Sequence, residues 1–214
     1  MRPRAVLFDF NGTLSDDEPI LYAIYAERCA EQGHPLTARD YLDRLAGLSD
    51  EEIFATWLGA DQPRIEPLVE ERIARYRARV SDGATVSPEV RSAVRYAAER
   101  VPVGIVSGAA RAEIEPVVRA AGLGDAIAFV VATDDVAAGK PDPEGYLRAL
   151  ALLGGDVPTV EVVALEDTEA GVASAKAAGL RVVALTRTLG PERLEHADAL
   201  IDAIRPEAVR RLLA

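Results

Sequence analysis

Asp9 closes a short apolar run, Ala5-Val6-Leu7-Phe8, and passes through Phe10 into Asn11-Gly12-Thr13. Such a run reads as a buried parallel strand that delivers a carboxylate to a tight loop. Gly12 permits a sharp turn that leaves successive N–H groups pointing inward, a concavity suited to an oxyanion. Three further groups stand in comparable places. Ser107-Gly108 follows an apolar run at 102–106, Lys140 sits in Gly139-Lys140-Pro141-Asp142-Pro143, and the acidic pair Glu166-Asp167 ends a run at 162–165. Each also has a plain structural reading: turn chemistry for Asp9, a solvated loop lysine for Lys140, and a helix cap for Ser107 or for the acidic pair.

Whether these groups meet depends on the elements that carry them. From Pro88 onward, helical spacing alternates regularly with short apolar runs at 102–106, 127–132, 162–165 and 181–185, which is the signature of βαβ units on a parallel sheet. The expected fold is therefore α/β, a doubly wound Rossmann-like parallel sheet of order 3-2-1-4-5. In that order strand 1 is central, and the crevice at the carboxyl ends gathers Asp9, Ser107, Lys140 and Glu166-Asp167. A closing helix is expected over 205–213.

Between the first strand and Pro88 the periodicity is helical for roughly seventy residues, too long for one crossover helix. Pro19 suits a first helical turn, Thr37 precedes a second helix, and Ser49-Asp50-Glu51-Glu52 is a capping box for a third that Gly59 ends. Val69, Ile73, Tyr76 and Val80 mark a fourth. The expected division is a core of residues 1–15 and 84–214 and an inserted α-helical bundle of residues 16–83 with a modest core of its own. Trp57 and the bundle's tyrosines are expected in that core, and His34 and His196 at the surface or in packing.

Composition narrows the partners. Acidic residues outnumber basic ones 35 to 24, for a net charge of −11, which argues against nucleic acid or an anionic membrane surface. A small anionic substrate remains compatible, because a divalent cation and one placed lysine reverse the sign locally. The single cysteine, Cys29, cannot form an internal disulfide. No signal-peptide pattern or long apolar span is present, so a cytoplasmic protein, monomeric or homodimeric, is expected.

Taken together, Asp-x-x-Gly-Thr-Leu at Asp9, Val-Ser-Gly at Ser107, Gly-Lys-Pro-Asp-Pro at Lys140 and Leu-Glu-Asp-Thr-x-x-Gly-Val-x-x-Ala-x-x-Ala-Gly at Glu166 resemble the haloacid dehalogenase superfamily along essentially the whole chain. The helical insertion is similar to the cap of the subgroup holding phosphoglycolate phosphatases and β-phosphoglucomutases. The resemblance implies a phosphoric monoester hydrolase acting on a small phosphorylated metabolite. Asp9 would be the nucleophile, Mg²⁺ would be held by Asp9, the Asn11 backbone carbonyl, Glu166 and Asp167, and Lys140 would offset developing charge. Ser107, Gly108, Ala109, Gly12 and Thr13 would bind the phosphoryl oxygens.

Asn11 departs from that pattern. The family's phosphatases usually carry there a second Asp that exchanges the proton of the leaving oxygen and of the attacking water, and an amide cannot do so at neutral pH. Asp17, Glu18 or another group of the cap would then supply the proton, or turnover would be confined to good leaving groups. The alternatives are a non-catalytic phosphometabolite-binding module and, in the family's other chemistry, a 2-haloacid dehalogenase. The cap loop Leu45-Ala46-Gly47-Leu48-Ser49-Asp50 holds Ala46 and Asp50 where the mutases are expected to grip a second phosphate with Lys and Arg, so a sugar bisphosphate would meet repulsion. Closure is expected by hinging near Ser15-Asp16 and Ser81-Asp82-Gly83.

Overall fold

The computed structural model describes residues 2–59 and 61–214; Met1 and Ala60, each within a segment assigned above, lie outside it. In chain order the elements begin with β1 (Ala5–Phe8), α1 (Glu18–Glu31), α2 (Ala38–Arg44), α3 (Asp50–Leu58), α4 (Gln62–Val80) and α5 (Pro88–Ala98). There follow β2 (Val103–Val106), α6 (Arg111–Ala120), β3 (Phe129–Val131), α7 (Glu144–Leu153), β4 (Val162–Glu166), α8 (Glu169–Ala177), β5 (Arg181–Leu185), β6 (Ala199–Ile201) and α9 (Pro206–Leu212). All strand pairings are parallel and the order is β3-β2-β1-β4-β5-β6. The expected 3-2-1-4-5 order holds. β6 extends it: three residues are too few for a period-two signal, and two of them, Ala199 and Leu200, are exposed at the sheet edge.

Alternate side chains of the central strands enter two apolar layers. Val6, Phe8, Ile105, Val163 and Leu165 join Val94, Ile114 and Val209, whereas Leu7, Val106, Ala164 and Ala184 join Tyr146, Val172 and Ala175. Burial on both faces explains why β1, β2 and β4 read as continuous apolar runs. Each large side chain so buried contributes about 1.5–3 kcal/mol, which holds the register. Phe8 pairs with Ile105 on one side and Leu165 on the other, and the Asp9 N–H continues the ladder to the Leu165 carbonyl at 2.9 Å. Register therefore brings the residues after Phe8, Leu165 and Val106 to one edge of the sheet.

The four helices between β1 and α5 begin and end as their caps dictate. Ser49 accepts from the Glu52 N–H at 3.3 Å while Glu52 accepts from the Ser49 N–H at 2.9 Å, and Gly59 ends α3 at φ 60°. Their interior is not separate, contrary to expectation. Tyr41, Leu45, Ile53, Phe54 and Tyr76 belong to one apolar cluster with Val6 and Phe8, and Phe10 and Leu14 at the exit of β1 are part of it. The two crossings run side by side: Ser15 Oγ donates to Thr85 Oγ1 at 2.7 Å and the Asp16 N–H to the Thr85 carbonyl at 2.8 Å. Trp57 packs against this core, Cys29 is buried, and His34 and His196 are exposed. Among the described residues no helix is long and apolar enough to cross a membrane.

Candidate active site

Lys140 organises the strand tips. Its ammonium donates to Asp9 Oδ1 at 2.6 Å, to Glu166 Oε1 at 2.6 Å and to the Val106 carbonyl at 3.1 Å. Three donors meet three acceptors from β1, β4 and β2, so the solvated-lysine reading is excluded. Burial works against the charge of Lys140, but Asp9 and Glu166 outweigh it and hold the ammonium well above its ordinary value.

Asp9, Glu166 and Asp167 form a buried cluster whose carboxylate oxygens lie within 4.8 Å of one another. Asp167 accepts from Thr13 Oγ1 at 3.1 Å and from the Thr188 hydroxyl, while Tyr146 donates to Glu166 Oε1 beside Lys140. Glu166 Oε2 is buried with no partner. Burial raises both Glu166 and Asp167; Asp9 adds repulsion, and Lys140 offsets part of the rise at Glu166. Three carboxylates, one ammonium and an orphaned oxygen fit a hard divalent cation that prefers oxygen ligands. Two glycines make room. A Cβ on Gly12, which has φ 68°, would strike the Asp167 carboxylate, and one on Gly171 would strike that of Glu166.

The acidic pair is not the cap of α8, since Thr168 holds that place and accepts from the Gly171 N–H at 3.1 Å. Ser107 is not the cap of α6 either. α6 begins at Arg111 after Ala110, and Ser107 Oγ accepts from the Ala109 N–H at 3.1 Å inside the loop.

One cavity is lined by Asp9, Asn11, Ser107, Gly108, Ala109, Lys140 and Asp167 from the strand tips, and from the inserted helices by Glu18, Tyr25, Tyr41, Asp50 and Arg72 among others. Gly12 and Thr13, expected to bind phosphoryl oxygens, are not among its lining residues: the Gly12 N–H donates to Asp17 Oδ1 at 3.1 Å and the Thr13 hydroxyl to Asp167 at 3.1 Å. Glu166 likewise lies behind the lining.

The three successive acids at 16–18 have three fates. Asp16 is exposed. Asp17 is fully buried, accepting from Asn11 Nδ2 at 2.9 Å and from the Tyr76 hydroxyl, and burial pushes it up to about 6. Only the amide N–H of Asn11 can face that carboxylate, which leaves its carbonyl as an acceptor. Glu18 lines the cavity, accepts from Tyr41 at 3.1 Å and is pushed up to about 7 by burial and by Asp17. A carboxyl of that kind exchanges protons near neutral pH.

Sequence reasoning missed Tyr146, Thr188 and the pairing of Arg72 with Asp50 and Glu113. Tyr146 carries a signal, six residues beyond Lys140 in the first turns of the following helix; the others depend on elements far apart in the chain. The tyrosines assigned to packing also serve the cavity, because Tyr25 bonds Asp50 and Tyr41 bonds Glu18.

The raised carboxyls make stability pH-dependent with a definite sign. Burial raises Asp17 to about 6 and Glu18 to about 7, so the folded state holds protons that the unfolded chain releases near pH 4. Their contribution is complete below that point and is lost as pH rises to about 7, at up to about 3 kcal/mol per group. Metal-free protein should melt at a lower temperature at about pH 8 than at about pH 5 by calorimetry; an unchanged or higher midpoint at pH 8 contradicts the assignment.

A buried carboxylate, a clamped ammonium and an acidic cluster at the switch point of a doubly wound sheet are the arrangement of a phosphoryl-transfer type of hydrolase site. The family model for haloacid dehalogenase-like hydrolases matches residues 6–185, and the chain belongs to that family. It is 30% identical to validoxylamine A 7'-phosphate phosphatase of Streptomyces hygroscopicus subsp. limoneus, over 92% of each chain. It is also 33% identical to N-acetylmuramic acid 6-phosphate phosphatase of Pseudomonas aeruginosa, over 80% of this chain and 78% of that one. Among solved structures, a mutant of CbbY from Rhodobacter sphaeroides in complex with xylulose-(1,5)bisphosphate superposes with TM-score 0.82 at 27% identity, covering 95% of each chain.

Proposed function

We propose that this chain hydrolyses the phosphate monoester of a sugar or polyol, with Asp9 as nucleophile and Mg²⁺ as cofactor. The observation that carries the reading is the Lys140 ammonium at 2.6 Å from both Asp9 and Glu166, with Asp167 at the same point. The relatives named above supply the substrate class.

Asp9, Glu166, Asp167 and the backbone carbonyl of Asn11 would hold Mg²⁺. Bound there, the ion supplies neutralisation of charge between the nucleophile and the phosphoryl oxygens. Asp9 attacks phosphorus and the ester oxygen leaves, giving an aspartyl-phosphate that water then cleaves to regenerate the carboxylate. Lys140 offsets the charge developing on the phosphoryl group, and Ser107 with the Gly108-Ala109 backbone orients its oxygens. Asn11 accepts a hydrogen bond but moves no proton. Glu18 supplies that exchange from the cavity wall; Asp17, behind Asn11 with both oxygens engaged, does not. Residues 16–83 serve as a cap that shields the aspartyl-phosphate from bulk water, moving about the crossings at Ser15-Asp16 and Ser81-Asp82-Gly83.

Rapid mixing with p-nitrophenyl phosphate and Mg²⁺ tests the reading. Expected is a burst of about one nitrophenol per chain followed by slow turnover, because an aryl leaving group needs no proton whereas the attacking water does. Glu18→Gln should preserve the burst and slow the following phase about 10²-fold. No nitrophenol release and no aspartyl-phosphate would favour a binding module, the reading that Asn11 keeps in view.

A further inference from the structure

Arg72 on α4 lines the cavity yet is almost fully buried, at 4% exposure. One guanidinium nitrogen, Nη2, is paired with the Asp50 carboxylate at the start of α3, and Nη1 with Glu113 on α6, itself 1% exposed. The group also lies 5.6 Å from the ring of Tyr25, whose hydroxyl bonds Asp50. Its remaining nitrogen, Nε, is buried and has no partner. A buried guanidinium N–H left unbonded is costly, and because Arg72 lines the cavity, a ligand oxygen that reached Nε would remove that cost.

The charge of this side chain is matched before any ligand arrives. Around it, the wall from the inserted helices presents hydrogen-bonding groups, with Glu18, Asp50, Tyr41 and Ser49 among them. Hydroxyls satisfy such a wall, since they donate to carboxylates and accept from Nε. A second phosphate would meet two carboxylates and a cation already engaged on two sides. Asp50, expected from sequence to act by bare repulsion, thus acts through Arg72.

We propose that Arg72, clamped between Asp50 and Glu113, is the specificity-determining residue that selects an uncharged, polyhydroxylated organic group and rejects a second phosphate. The inference rests on the phosphatase reading and names the substrate class of the same site. The ion pair to Glu113 also joins α4 to α6, so recognition of the organic group and seating of the helices over the strand tips use one side chain.

Binding by titration calorimetry tests it on the Asp9→Asn background with Mg²⁺, where ligand is held without turnover. The probes are sorbitol 6-phosphate, fructose 1,6-bisphosphate and inorganic phosphate. The monophosphate should bind at least about tenfold more tightly than the bisphosphate, and Asp50→Asn should narrow that ratio about tenfold or reverse it. Arg72→Met should weaken sorbitol 6-phosphate about tenfold while inorganic phosphate changes less than about twofold. Because loss of Arg72 leaves two buried carboxylates unpaired, Arg72→Lys, which keeps the charge and lacks Nε, is run beside it and should show the same split. Equal affinity for the two esters, a ratio unmoved by Asp50→Asn, or parallel weakening of ester and inorganic phosphate would each overturn the proposal. Turnover of p-nitrophenyl phosphate by the unsubstituted chain reads the phosphatase assignment separately.

Discussion

Asp9→Asn should abolish the aspartyl-phosphate, with loss of turnover on the order of 10⁴ or more, and should make the metal-free protein more stable. The first effect follows because the amide that replaces the carboxylate is a poor nucleophile at phosphorus. The second follows from electrostatics. Asp9, Glu166 and Asp167 converge within 4.8 Å and one ammonium, Lys140, is paired with two of them. Removing one charge relieves repulsion that raises both remaining carboxyls. A gain of about 1–3 kcal/mol without metal is expected, closing when Mg²⁺ saturates the unsubstituted site, since binding to the folded state adds its own stability. Acid-quench trapping of phosphoenzyme and thermal melts in chelator read the two effects. A phosphoenzyme that survives in the variant removes Asp9 from its role, and a less stable metal-free variant refutes the electrostatic account.

Asn11→Asp should accelerate dephosphorylation by about 10²–10⁴, because it places a proton-exchanging carboxyl where the amide now stands. In this chain the gain carries a structural cost. Asn11 Nδ2 donates to Asp17 at 2.9 Å, and Tyr76 donates to the same Asp17 oxygen. A carboxylate at position 11 would abut another, and the pair would retain a proton to a higher pH than either alone. The single substitution is therefore expected to cost about 2 kcal/mol near pH 8. Adding Asp17→Asn turns the pair round, with the amide at 17 donating to the carboxylate at 11, and should recover the stability while keeping the acceleration. Chase of labelled phosphoenzyme and denaturant titration of both variants measure this. A double variant no more stable than the single one would show that the contact does not set the balance. Glu18→Gln in either background should matter less than in the unsubstituted chain, since the proton then has a second route.

Asp9, Ser107 and the pair at 166–167 were legible because each follows an apolar run, and a run buried on both faces of a parallel sheet must end at the same edge as its neighbours; Lys140 was legible from its Gly-Lys-Pro-Asp-Pro setting in the loop after the third run. The order of strands followed from the alternation of elements. β6 escaped because a three-residue edge strand carries no period. The partners of Gly12 and Thr13 were not legible, because the direction of an N–H or a hydroxyl depends on which group lies nearest in space, here Asp17 and Asp167.

The amino-acid order by itself determined the sheet, the four inserted helices and the identity of the groups at the strand tips, since hydrophobic period, caps and glycine turns act over a few residues. Tertiary structure alone decided that Asp17 sits behind Asn11 while Glu18 faces the cavity, and that Arg72 is held between Asp50 and Glu113. These arrangements depend on how α1, α3, α4 and α6 pack against one another, and adjacent acids leading into a helix look alike until that packing buries one, exposes another and turns the third inward.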